Sequence, residues 1–169
     1  MKNTETAMES GTAMVSKLVL FVCYGNICRS PMAEGFLKKV LEDFNEPAKI
    51  EVLSAGTNAY GGPPTSEAIK VMRGEGIDIS SCTSRQLTQE LVEKADLILT
   101  MKKSYKDRIV SEHLQSGHKI FTLKEFAGEI DDLDIKDPYG GGIGTYQTCA
   151  TEIKLNIVKA LKKIINYVS

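Results

Sequence analysis

Apolar positions change their period along the chain, and each change marks an element. Leu18, Val19, Leu20, Phe21 and Val22 run on without a polar break, as in a strand buried on both faces of a parallel sheet. Ala33, Phe36, Leu37, Val40, Leu41 and Phe44 then recur at three- and four-residue steps, the one-sided stripe of a helix. Ser30 and Pro31 stand at the head of that stripe and suit a helix start, so strand, short loop and helix follow one another directly. The same pattern predicts a strand over residues 49–54, a helix over 64–75 with Ala68, Ile69 and Met72 inward, and a strand over 96–101. A helix over about 102–114, a strand over 119–123 and a final helix over about 146–167 complete the series.

Strands alternating with helices predict an α/β fold, a single three-layer domain whose parallel sheet carries helices on both faces. In such sheets ligands bind beyond the carboxyl ends of the strands, which makes the loop over residues 23–30 the expected site. The 169 residues fit one domain of ordinary size, expected over residues 17–169. Residues 1–16 have no apolar period and lack the apolar core of a signal peptide. They are expected to form a mobile extension, with Met14 a candidate natural start.

Composition narrows the function classes. With 21 basic and 22 acidic residues and a net charge of −1, the chain lacks the basic excess of a nucleic-acid binder. Its longest apolar run, residues 18–23, falls far short of the roughly 20 residues of a membrane span, so no membrane partner is expected. Four cysteines, Cys23, Cys28, Cys82 and Cys149, in a domain large enough to need no disulfides point to a reducing compartment, the cytosol.

The loop reads Cys23-Tyr24-Gly25-Asn26-Ile27-Cys28-Arg29-Ser30. A loop entering a helix N-terminus offers free backbone N–H groups and the positive end of the helix dipole, which together bind an anion, phosphate above all. Gly25 permits tight geometry, and Asn26 tolerates a left-handed backbone and can hydrogen-bond across the loop. Arg29 supplies a planar fork for two phosphate oxygens. The same field stabilises a Cys23 thiolate, and a thiolate aimed at a bound phosphate is a nucleophile. Ser30 can donate a hydrogen bond to that thiolate, cap the helix, or do both. Cys28 is near enough to form a reversible disulfide with Cys23, or is a small core residue. A zinc site joining these cysteines to His113 and His118 has the wrong pair spacing.

Expelling a leaving group from phosphorus also requires a proton donor. Residues 129–142 offer Asp131, Asp132, Asp134 and Asp137. Asp137 is preferred because Pro138 fixes the backbone behind it, Tyr139 provides an aromatic wall and the following glycines leave room, although composition alone does not separate the four. The aspartate spacing lacks a calcium-loop pattern.

Taken together, V-C-Y-G-N-I-C-R-S-P-M-A-E at 22–34, S-A-G-T at 54–57, G-I-D-I-S at 76–80, S-R-Q-L at 84–87, A-D-L-I-L-T-M at 95–101 and D-P-Y-G-G at 137–141 resemble the low-molecular-weight protein tyrosine phosphatases. The resemblance runs from about Lys17 to the C-terminus. It implies a four-stranded parallel sheet and hydrolysis of phosphomonoesters through a phosphocysteine, without metal or other cofactor. Cys23 is then the nucleophile, and Arg29 with the amides of Tyr24, Gly25, Asn26, Ile27 and Cys28 forms the phosphate cradle. Asn26 and Ser30 support it, and Asp137 is the acid and later the base. Tyr60 and Tyr139 match the crevice walls, with Ile27 beside them. The expected partners are a phosphorylated protein or peptide and, in the loop, phosphate or another oxyanion; a monomer or weak self-association is expected.

Two features divide the branches. Gly140 and Gly141 after D-P-Y resemble the bacterial protein-arginine phosphatases, whereas Ile27 resembles the tyrosine branch, because the arginine branch carries threonine there. Ile27 touches the phosphate site and is given the greater weight. Cys82 stands where the family often has histidine and is expected to pack. Arsenate reductases of this fold use a further cysteine pair, and Cys82 has no partner seven residues on. A phosphocysteine carrier like the B subunits of sugar phosphotransferases would not need Asp137.

Overall fold

Strand β1, Lys17–Cys23, is the axis of the molecule in a computed structural model that describes residues 16–45 and 49–169. The extension expected over residues 1–16 lies, apart from Ser16, outside the described residues. The unbroken apolar run of β1 has the anticipated cause. Val19, Phe21 and Cys23 enter one core cluster, while Leu18, Leu20 and Val22 enter another on the opposite face, so neither register position can be polar. β2 (Ile50–Gly56) pairs with β1 from Lys17↔Ile50 to Cys23↔Gly56, and β3 (Leu97–Thr100) pairs on the other side. β4 (Ile120–Thr122) lies beyond β3. The four strands are parallel in the order β2-β1-β3-β4.

Helices α1 (Arg29–Asp43), α2 (Ser66–Gly74), α5 (Leu123–Phe126) and α6 (Ile143–Val168) contribute to the first cluster, and α3 (Gln89–Lys94) and α4 (Lys103–Glu112) to the second. This is the three-layer arrangement expected. Because β1 feeds β2 on one side and has β3 on the other, the loop after β1 leaves the sheet where the strand order reverses, the point at which such sheets bind ligands. Among the described residues no helix is long and apolar enough to cross a membrane.

Several boundaries differ from expectation. α1 begins at Arg29 with Cys28 as its cap residue, so Ser30 is not the cap but the second helical residue. Phe44 follows the helix at 64% exposure and does not join the buried stripe. α6 starts at Ile143, three residues earlier than its apolar period suggests, which seats Tyr146 in the core in its first turn. The short α3 and α5 and a 3-10 turn at Leu114–Lys119 escape the periodicity because one or two turns are too short to show one. Threonine caps explain two of them: Thr88 accepts from Leu91 N–H, and Thr122 forms a reciprocal capping box with Glu125.

Candidate active site

The loop after β1 is held from outside by its carbonyls. Those of Cys23, Tyr24 and Ile27 accept from the N–H groups of Thr57, Asn58 and Thr65 at 3.0, 2.8 and 2.9 Å. That of Gly25 accepts from Ser84 Oγ at 2.8 Å. In a planar trans peptide the next N–H points the opposite way, so outward carbonyls turn amides toward the concave side, the arrangement of an anion nest. α1 follows at once, with no side-chain cap on its first turn.

Asn26 is the central tie. It is 3% exposed, with φ at +55°, the left-handed conformation that asparagine adopts more readily than most residues. Its Oδ1 accepts from Arg85 N–H at 2.8 Å, and its Nδ2 donates to Ser30 Oγ at 2.7 Å and to Ser54 Oγ at 2.9 Å. The left-handed residue of the loop is therefore Asn26, whereas Gly25 is not at positive φ. A different glycine makes the close packing possible. A Cβ on Gly56, the last residue of β2, would lie 2.5 Å from the Tyr24 carbonyl oxygen. Its only sequence signal is its place in S-A-G-T.

Cys23 Sγ accepts from Asn26 N–H at 3.2 Å and lies 2.9 Å from Ser30 Oγ. Because Asn26 already donates to that oxygen, the serine hydrogen is free, and the sulfur is a nearer acceptor than Ala55 O at 3.5 Å. Both neighbours thus present hydrogens to sulfur. Fully buried Ser30 bonds the loop beside the sulfur, and the capping role falls to Cys28 by position. Burial pushes Cys28 up despite hydrogen bonds with Tyr146 and Thr65, pushes Cys82 up with the help of Glu34, and pushes Cys149 up to about 12. Cys28 Sγ lies 3.2 Å from Tyr146 Oη and 3.7 Å from Thr65 Oγ1, and the residue belongs to the core cluster while also lining the cavity.

Arg29 is 2% exposed. Nη1 donates to Ile135 C=O at 2.9 Å, Nη2 donates to Tyr105 Oη at 3.1 Å, and Nη2 is 3.4 Å from Asp137 Oδ2. Nε is buried without a hydrogen-bond partner among the described residues. A buried donor of this kind is costly unless a ligand satisfies it.

The aspartates separate by their contacts. Asp134 Oδ1 accepts from Lys103 N–H at 2.8 Å and so caps α4 from another segment. Asp132 pairs at 3.4 Å with Lys124, a buried lysine that also meets Glu152 at 2.6 Å. Asp131 is exposed. Asp137 alone of the four reaches the cavity, its side chain about half exposed, and its Oδ1 accepts from Tyr139 N–H at 3.1 Å.

These residues surround one cavity of about 390 Å³ lined by Cys23, Ile27, Arg29, Tyr60, Asp137 and Tyr139, among others. Tyr60 and Tyr139 are 88% and 67% exposed, standing at its mouth. Tyr24 joins them as a third rim aromatic, a role its position within the loop did not signal. Among the described residues no group of three or more His, Cys, Asp or Glu side chains gathers as a metal site. Cys82 meets Glu34, with Sγ donating at 3.8 Å, and packs against the core.

The model of the family described as low molecular weight phosphotyrosine protein phosphatase matches residues 18–168. A probable low molecular weight protein-tyrosine-phosphatase, EpsP, of Ralstonia nicotianae is 44% identical over 124 residues, 73% of this chain and 79% of that protein. A protein-arginine-phosphatase of Bacillus subtilis is 38% identical over 149 residues, 86% of this chain and 97% of that protein. The crystal structure of a low molecular weight protein tyrosine phosphatase from T. tengcongensis superposes with a TM-score of 0.82 at 42% identity, covering 88% of this chain and 99% of that one.

Proposed function

Since the chain belongs to the low molecular weight phosphotyrosine protein phosphatase family, a family of cysteine-dependent phosphatases, we propose that it hydrolyses protein phosphotyrosine, with Cys23 as nucleophile, Arg29 and the loop amides as cradle, and Asp137 as acid and base. The observation that carries this reading is the convergence on one cavity of a hydrogen-bonded cysteine sulfur, a buried guanidinium with an unpartnered Nε and a carboxyl group.

In the first step the Cys23 thiolate attacks phosphorus, a P–S bond forms and the P–O ester bond breaks. Asp137 gives its proton to the departing phenol oxygen. Arg29 and the amides of α1 and the loop stabilise the equatorial oxygens where charge gathers. In the second step Asp137 takes a proton from water, the water oxygen attacks phosphorus, and the P–S bond breaks to return the thiolate to the hydrogens of Ser30 and Asn26. Cys28 is the proposed redox partner. A peroxide converts the Cys23 thiolate to a sulfenic acid, and the Cys28 thiol displaces water to close a disulfide. Peroxide inactivation that a dithiol reverses in the parent but not in Cys28→Ser is the expected sign.

The choice of phosphotyrosine rests on the cavity wall. The Ile27 side chain has no hydrogen-bonding group with which to orient attack at a phosphoramidate, and Tyr60 and Tyr139 suit a phenyl ring between them. Phosphoarginine is the second reading, favoured by Gly140-Gly141. Its weight is reduced by the turn that those glycines form. Gly141 N–H closes on Pro138 C=O at 2.9 Å with Gly140 at φ +81°, a conformation that calls for glycine whatever the substrate. The test is kcat/KM on matched phosphotyrosine and phosphoarginine peptides, without added metal and with Cys23→Ser as control. At least about ten-fold preference for phosphotyrosine is expected; a preference for phosphoarginine overturns the assignment.

A further inference from the structure

Arg29 must present one edge of its guanidinium to a bound anion, yet the side chain has four rotatable bonds and its group has only donors. Its far end is held by two different elements. Nη1 donates to the Ile135 carbonyl of the segment that carries Asp137, and Nη2 donates to the Tyr105 hydroxyl on α4. The guanidinium carbon also lies 5.5 Å from the centre of the Tyr105 ring, within cation–π range. One hydrogen bond to Ile135 would leave the guanidinium plane free to turn about it. The hydroxyl and the ring together remove that freedom. The hydroxyl also engages the Nη2 that stands 3.4 Å from Asp137, so that this donor is not drawn wholly onto the carboxylate. The Nε edge is what remains for a ligand.

We propose that Tyr105 is a positioning residue, which through its hydroxyl and ring fixes Arg29 in the orientation that meets the phosphoryl oxygens. The inference rests on the reading of Arg29 as the phosphate-gripping residue, and its test separates the two. Hydrolysis of p-nitrophenyl phosphate is measured for the parent, Tyr105→Phe, Arg29→Lys and the double variant. Tungstate affinity by calorimetry and Tm are measured alongside. Tyr105→Phe keeps the ring of a half-buried residue. It is expected to lower kcat about ten-fold with KM moved less than about three-fold, to weaken tungstate binding similarly and to leave Tm nearly unchanged. Tyr105→Leu, without the ring, loses more. In the Arg29→Lys background, where the planar fork is gone, removing the hydroxyl is expected to add less than about a two-fold loss. A Tyr105→Phe kcat within about two-fold of the parent, or an undiminished further loss on Arg29→Lys, overturns the proposal while leaving the cradle intact. Parental activity in Arg29→Lys overturns the cradle reading, and this proposal with it.

Discussion

The loop of residues 23–30 is tied at closely spaced points, its carbonyls to donors outside and Asn26 to two separate segments, at Ser54 and Arg85, whereas residues 127–142 meet the rest of the fold at a few scattered points and leave Asp137 half in water. The difference matches what the proposed role of each requires. Stabilising charge on phosphoryl oxygens depends on donors already in place before the reaction, since reorienting them would consume the gain. A proton donor must instead admit a bulky ester, meet its oxygen and later meet water, so exposure is part of its task. On the proposed mechanism, the first loop is an electrostatic mould and the second a carboxyl placed beside it.

The largest effect that probes this contrast is removal of the sulfur. Cys23→Ser is expected to lower kcat by at least about 10⁴-fold, while tungstate binds within about ten-fold of the parent, because the cradle is held by Asn26 and the outward carbonyls and a serine oxygen can accept the same hydrogens. Loss of both activity and tungstate binding would mean that sulfur organises the loop, and the contrast would fail. Next in size is Asp137→Ala. A fall of about 10²-fold or more on phenyl phosphate, but less than about ten-fold on an ester with a good leaving group, is expected from an acid needed only when the leaving oxygen is basic. Equal losses on both esters would remove Asp137 from that role.

The two regions also differ in how far they are legible in the sequence. The loop of the proposed nucleophile is legible because its contacts are local: strand, loop and helix are contiguous, and Cys23, Asn26, Arg29 and Ser30 lie within eight residues of one another. The sheet is legible for the same reason, since an unbroken apolar run as short as 18–22 suits a strand covered on both faces and little else. What escapes is carried by long-range contact. Gly56 is required by the Tyr24 carbonyl across the β1–β2 pairing. Ser84 and Arg85 serve the loop from about 60 positions away, and Tyr105 meets Arg29 from α4. The aspartates of the second segment look alike in composition. Only tertiary contacts divide them into a lysine partner, a helix cap and a group at the cavity.

The smallest predicted effect tests whether that second segment is as distributed in its anchoring as it looks. Asp134 caps α4 through Lys103 N–H, where the cap residue Lys102 supplies no side-chain acceptor. Asp134→Ala is expected to cost about 1 kcal/mol, as other lost caps do, and to lower Tm by about 2–4 °C in a domain of this size. Activity is a separate matter. Ile135, the next residue, is buried, donates its N–H to Met101 C=O at 2.8 Å and accepts from Arg29 at 2.9 Å. Those two bonds hold the chain just before Asp137 without help from Asp134. Phenyl phosphate turnover by Asp134→Ala, measured well below its Tm, is therefore expected to stay within about three-fold of the parent, a change of under about 1 kcal/mol. A ten-fold loss confined to poor leaving groups would show instead that one aspartate–amide bond sets the position of Asp137, and that the segment hangs from a single point.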